Sequence, residues 1–136
     1  MSHSEMVDAV RVSKRVALVG ASMKEDRMSN RVHRYLKANG FEVHPVNPSL
    51  AGQEVNGDVC LGSLRELPVE VDLVTLFLSP ANQAQVLEDL KGLPYRPHLF
   101  FQPGAENPEA QRSLEEMGFK VFPGCVMAVH MSLGGR

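Results

Sequence analysis

Near the front of the chain, small, hydroxylated and basic residues follow one another in the stretch VALVGASMKEDRMSNRV, Val16 to Val32. An apolar run ends at Gly20, the small residues Gly20, Ala21 and Ser22 follow, and Lys24 and Arg27 come before an amphipathic segment. Small residues let backbone N–H groups approach an anion closely, and the positive end of a following helix favours negative charge there. From Gly20 to Lys37 there are five basic residues and two acidic ones, in a chain whose net charge is −2. That local excess of positive charge points to a polyanionic ligand. Arg31, Arg34 and Lys37 are spaced by three and fit the solvated face of a helix equally well. Lys24 and Arg27 precede the helix and are the pair assigned to the ligand.

Two common owners of such a loop are poor matches. The phosphate-binding pattern GxxxxGK[ST] is absent, which argues against nucleotide hydrolysis by that route. The dinucleotide pattern GxGxxG is absent too, because Ser22 and Glu25 stand where its second and third glycines belong. Nicotinamide enzymes place a carboxylate for the ribose at the end of the second strand, where this chain has Asn47. Cys125 and His130 lie five apart in the tail and could form a thiol–imidazole pair, but packing is the simpler reading of both. No HExxH, Ser-His-Asp or paired-carboxylate arrangement is visible. Glu88-Asp89 and Glu115-Glu116 read as helix surface, and the seven methionines as core filler. No catalytic residue and no metal site are expected.

The elements that must position the loop follow from periodicity. Arg15–Gly20 is a short apolar run closed by glycine, as in a buried parallel strand. Ser29–Gly40 is a helix with Val32, Tyr35 and Leu36 on one face, Ser29 or Asn30 as N-cap and Gly40 as its stop. Phe41–Pro48 alternates and ends at Asn47-Pro48, a second strand. Between Leu50 and Ser63 there is at most a short strand around Val59–Leu61, and Ser63 with Glu66 forms a capping-box pattern over one turn. Val71–Ser79, the most β-branched run, is a central strand. Pro80–Leu93 is a helix with Ala84, Val86, Leu87 and Leu90 as its apolar face. Arg96–Gly104 is the next strand and turn, and Glu106–Gly118 a helix with Asn107 as N-cap and Pro108 at its first position. Phe119–Gly124 is a last strand, and the tail from Cys125 adds a short helix over a sheet edge.

Repeated βα units predict an α/β, Rossmann-like doubly wound fold: a mainly parallel sheet of five or six strands with helices on both faces. Strands one to three lie on one side and the later ones on the other, so the ligand belongs outside the carboxyl ends at that reversal. Residues 1–14 read as an N-terminal extension or short helix, and 15–136 as one domain. The 136 residues suffice for a real core. Net charge gives no reason to expect nucleic acid. No apolar run reaches the roughly 20 residues of a membrane span. Residues 1–15 lack the apolar core of a signal peptide, and Cys60 and Cys125 make no CxxC, so the chain reads as a reduced cytoplasmic protein.

With these elements in place, the sequence resembles the small single-domain CoA-binding proteins. These are related to the CoA-binding domain of the succinyl-CoA synthetase alpha subunit and of ADP-forming acyl-CoA synthetases. The resemblance rests on VALVGAS with SNRVHRYLKANGFEVHPVNP, VDLVTLFLSP, LFFQPGAENPEAQRSLEEMGFKVF and GCVMAVHMSL, from about Arg15 to Leu133. It implies coenzyme A or acyl-CoA as the ligand. Its phosphates would lie at Gly20, Ala21 and Ser22, with a polar contact from Asn47 and a turn shaped by Pro48. Ser79, Pro80 and Ala81 would lie against the adenosine and pantetheine, and Gln102 and Gly104 would line the far side. It implies a non-catalytic carrier, sensor or partner module. The alternative is an NAD(P)-binding oxidoreductase or redox-sensing domain on the same sheet. None of the histidines matches the phosphorylated histidine of the synthetases, and Met28 stands where small relatives often carry proline.

Overall fold

The computed structural model describes residues 3–134. Residues 1–2 and 135–136, the ends of the segments delimited above, lie outside the described residues. The chain runs through α1 (His3–Val12), β1 (Arg15–Val19), α2 (Met28–Ala38), β2 (Glu42–Val46), β3 (Glu54–Val55), β4 (Asp58–Val59), β5 (Leu73–Leu76), α3 (Ala84–Lys91), β6 (His98–Phe101), α4 (Pro108–Glu116), β7 (Val121–Pro123) and α5 (Val126–Met131). Five strands form one sheet in the order β2-β1-β5-β6-β7, every neighbouring pair parallel. The chain goes outward from β1 to β2 and then crosses back to β5 on the other side of β1. The reversal therefore lies between β1 and β5.

Alternation along each strand feeds two cores. Val16 and Leu18 of β1, Leu73 of β5, Phe100 of β6 and Phe122 of β7 face one layer, shared with Ala9 and Val10 of α1, Val32 and Leu36 of α2, and Val126 and Val129 of α5. Ala17, Val19, Val74, Leu76, Leu99, Phe101 and Val121 face the other, shared with Val86 and Leu90 of α3 and Leu114 of α4. Full burial of each Leu or Phe among them stabilises the fold by about 1.5–3 kcal/mol relative to exposure. The doubly wound α/β architecture is thus present, with five strands in its sheet. No helix among the described residues is long and apolar enough to cross a membrane.

Several local expectations are corrected. The segment from Leu50 to Ser63 holds an antiparallel β3–β4 hairpin, turned at Asn56 and Gly57 with φ of 53° and 86°. Asn-Gly suits such a two-residue turn because both positions need positive φ. The third strand shrinks to one parallel bridge, Leu61 against Val46. Neither Ser29 nor Asn30 caps α2: the helix begins at Met28, Arg27 is the N-cap, and among the described residues no side chain caps it. The helix expected over Pro80–Leu93 is a 3-10 turn, Pro80–Asn82, followed by α3, and Ala84 is exposed. Asp89, read as surface, is buried and accepts a hydrogen bond from Gln85. Ser63 makes no cap, although Glu66 does accept the Gly62 N–H at 3.1 Å. The tail helix α5 lies beside α1 and α2 on one face of the sheet and not over its edge. Asn107 caps α4 as expected, accepting the Ala110 N–H at 3.1 Å, with Pro108 at the first position.

Candidate functional site

At the carboxyl ends of the parallel strands lies a cleft of about 620 Å³, within the range of small-molecule sites. Its phosphate-loop side is built from the β1 turn. Gly20 has φ +94°, and a Cβ there would sit 3.1 Å from Phe77 Cβ and 3.3 Å from Leu78 Cδ2. Glycine is therefore needed both for the backbone conformation and for the close approach of β1 to the chain leaving β5. The Gly20 and Ala21 N–H groups both donate to the Val46 carbonyl, at 2.9 and 3.2 Å. This corrects the idea that these small residues turn their N–H groups to an anion: those donors are used to bind β2.

The loop is held from both sides. Asn47 Nδ2 donates to the Ala21 carbonyl at 2.8 Å while its Oδ1 accepts from Ser49 N at 2.9 Å, so Asn47 braces the β1 and β2 turns. Asn30 Nδ2 donates to the Ser22 carbonyl at 2.7 Å, and Arg34 donates to both Asn30 Oδ1 and the Glu25 carbonyl at 2.8 Å. Arg34 thus works inside the loop, and Lys37 pairs with Asp58 at 3.2 Å and donates to the Asn56 carbonyl. What the loop presents to the cleft is Ser22 and the uncapped end of α2, with Arg27, Met28 and Ser29 on the wall. An uncapped helix N-terminus carries unpaired N–H donors and about half a positive charge. Arg27 is the one charged side chain among the described lining residues and makes no ion pair with any described residue.

The opposite wall comes from the ends of β5, β6 and β7: Phe77, Leu78, Gln102, Pro103 and Cys125. Gln102 is buried, and its Oε1 accepts from Thr75 Oγ1 at 2.8 Å and from the Val126 N–H at 3.0 Å. A backbone N–H can only donate, so the amide orientation is settled by Val126. The Gln102 Nε2 is left with no hydrogen-bond partner among the described residues.

Of the residues singled out from sequence, the fold brings Gly20, Ala21, Ser22, Arg27, Asn47 and Gln102 together on the cleft. It does not bring the rest. Lys24 is exposed on the loop outside the wall. Pro48 is exposed in a 3-10 turn, and Ser79, Pro80 and Ala81 are exposed in the turn after β5. Gly104 is exposed beyond the wall. Leaving aside Met28, Ser29 and Pro103, the residues missed are Phe77, Leu78 and Cys125. Strand β5 stops at Leu76, so its apolar continuation turns over the cleft where Ser79–Ala81 were expected. Cys125 and His130 form no pair: His130 Nδ1 lies 2.8 Å from the Tyr35 hydroxyl, with the ring edge-on to Tyr35 and Phe41. His33 is likewise outside the cleft, with Nε2 2.8 Å from Asp58 Oδ2.

A parallel doubly wound sheet with its cleft at the strand reversal defines a Rossmann-like domain. Residues 14–131 match the family model described as a CoA binding domain, and the chain belongs to that family. It is 32% identical over 130 residues to the uncharacterized protein YneT of Bacillus subtilis (strain 168), covering 95% of this chain and 94% of that protein. It is 29% identical over 131 residues to the alpha subunit of an ADP-forming acetate–CoA ligase II from Pyrococcus furiosus. That match takes in 87% of this chain but 28% of the subunit. A hypothetical protein from Pyrococcus horikoshii OT3 superimposes with a TM-score of 0.89 at 30% identity, over 98% of this chain and 92% of that one.

Proposed function

We propose that the domain binds coenzyme A or an acyl-CoA in the cleft at the carboxyl ends of the strands, as a non-catalytic carrier, sensor or partner module. The observation that carries the reading is the uncapped α2 N-terminus on the cleft wall, flanked by Ser22 and Arg27, in a chain of the CoA-binding domain family. Phosphate groups suit that end because unpaired N–H donors, a helix dipole and a guanidinium all favour negative charge. Gly20, Ala21 and Asn47 shape the turn without touching the phosphates through their own donors. The pantetheine arm runs over Phe77 and Leu78 toward Gln102. Lys24, exposed nearby, acts at longer range on a polyanion.

The NAD(P) alternative is weaker on one local observation. The place of the ribose carboxylate is held by Asn47, whose amide is already bonded to Ala21 and Ser49. A thermal-shift comparison of CoA, acetyl-CoA, NAD, NADP and ATP tests the reading, since a ligand bound only by the folded state raises stability. Stabilisation by CoA or acetyl-CoA above all others is expected. Stabilisation by NAD or NADP alone would overturn it.

A further inference from the structure

Cys125 is the one thiol on the cleft. It is half-buried in the turn between β7 and α5 and lines the wall together with Gln102. It stands at the end opposite the phosphate-type donors. Strands β1 and β7 are three strand spacings apart, about 14 Å across the sheet. A ligand with phosphates at the α2 end and a thiol on a linear arm would bring that thiol toward β7.

A second observation marks the same wall. Gln102 is only 1% exposed, and its Nε2 has no hydrogen-bond partner among the described residues. Leaving a buried amide donor unmet is unfavourable, and a carbonyl on the ligand would meet it. The carbonyl side of Gln102 is bonded to Val126 N, the residue after Cys125, so the amide is fixed relative to the thiol. An arm containing amide carbonyls, such as pantetheine, would be anchored there close to its sulfur.

We propose that Cys125 is a covalent capture site for the pantetheine thiol, formed by thiol–disulfide exchange with a CoA-type disulfide. This rests on the CoA reading above and names a reaction at the same site. The Cys125 thiolate attacks one sulfur of the disulfide, a new S–S bond forms between Cys125 Sγ and the CoA sulfur, and the original S–S bond breaks. The other thiol leaves as the thiolate and takes up a proton, so no further oxidant is needed. Cys60 is the internal control. It is 1% exposed in the core beneath β2, its Sγ is directed at the Asn47 and Leu61 carbonyls, and burial pushes its thiol up.

The test is intact-mass analysis with peptide mapping after incubating the reduced protein with CoA disulfide, and in parallel with glutathione disulfide, which lacks the nucleotide. Isothermal titration with reduced CoA is run on the same protein and on Cys125→Ser. One CoA adduct per chain is expected, on Cys125, reversed by a reductant and formed about tenfold or more faster than the glutathione adduct. Cys60→Ser should keep the adduct, and Cys125→Ser should lose it while still binding reduced CoA. An adduct on Cys60, or none, in protein that binds CoA would overturn the capture site and leave the CoA reading standing. Failure of the wild-type protein to bind CoA at all would overturn the reading itself, and the capture site with it.

Discussion

Two clefts of nearly equal size lie on this molecule and differ in sign. The one at the carboxyl ends of the strands, about 620 Å³, meets the N-terminal end of α2 and holds Arg27 as its charged side chain. The other, about 670 Å³, lies beside the C-terminal end of α3 at Gly92 and is lined by Glu70, Glu88 and Asp89 with Arg65. A helix C-terminus carries partial negative charge, and three carboxylates against one guanidinium add to it. The larger space is therefore the wrong one for a polyanion. Volume does not choose between the two; the direction of the flanking helix does.

The largest expected effect tests that contrast in both places. Ser22→Glu puts a carboxylate where phosphate would lie, and like charges brought together cost several kcal/mol. By isothermal titration the CoA dissociation constant should rise about a hundredfold or more. Arg65→Glu, in the second cleft, should leave it within about twofold. Equal losses in the two variants would erase the distinction.

A smaller effect separates two glycines with the same backbone need. Gly20 and Gly104 have φ of +94° and +95°, but only Gly20 has neighbours where a Cβ would go. Gly20→Ala should lower the urea-unfolding free energy by about 1–3 kcal/mol, and Gly104→Ala by about 1 kcal/mol. A greater loss at Gly104 would contradict the role given to the β1–β5 approach.

The smallest effect lies in the middle of α2, away from its cleft end. Burial holds the His33 imidazole below its ordinary value of 6.5, against the hydrogen bond to Asp58 that raises it. The folded state therefore resists protonation of His33 more than the unfolded state does. This part of the stability is present above 6.5 and falls as the pH drops from there toward the lower folded value. Urea unfolding across that range should show the decline, and His33→Gln should remove His33's share of the slope. An unchanged slope in the variant would assign the decline to other groups.

The parallel sheet was legible because its strands are nearly continuous apolar runs ending in glycine or a polar turn. Val16–Val19 and Leu73–Leu76 are buried on both faces, as such runs require. The Asn107 cap and the helix start at Pro108 were legible for local reasons, since an Asn side chain satisfies the helix end within three residues and proline suits the first helical position. Other features depend on contacts across the fold. That the Gly20 and Ala21 N–H groups are taken by Val46 follows from strand pairing, which residue type does not express. Asn30 resembles a cap in sequence, yet its amide reaches back eight residues to Ser22. The Asn56-Gly57 hairpin had a local signal, the dipeptide itself, that an unpatterned surrounding segment obscured. Phe77 and Leu78 belong to the same apolar run as β5, so nothing in their type marks where the strand ends and the cleft begins.

The most direct measurement is an amide-resolved NMR titration of the labelled protein with CoA. The account predicts that the largest shifts fall on Ser22, Met28, Ser29 and the Gln102 side-chain amide, with Leu93 and Tyr95 of the second cleft unmoved. Shifts concentrated around Leu93 and Tyr95, with the α2 N-terminus silent, would contradict it.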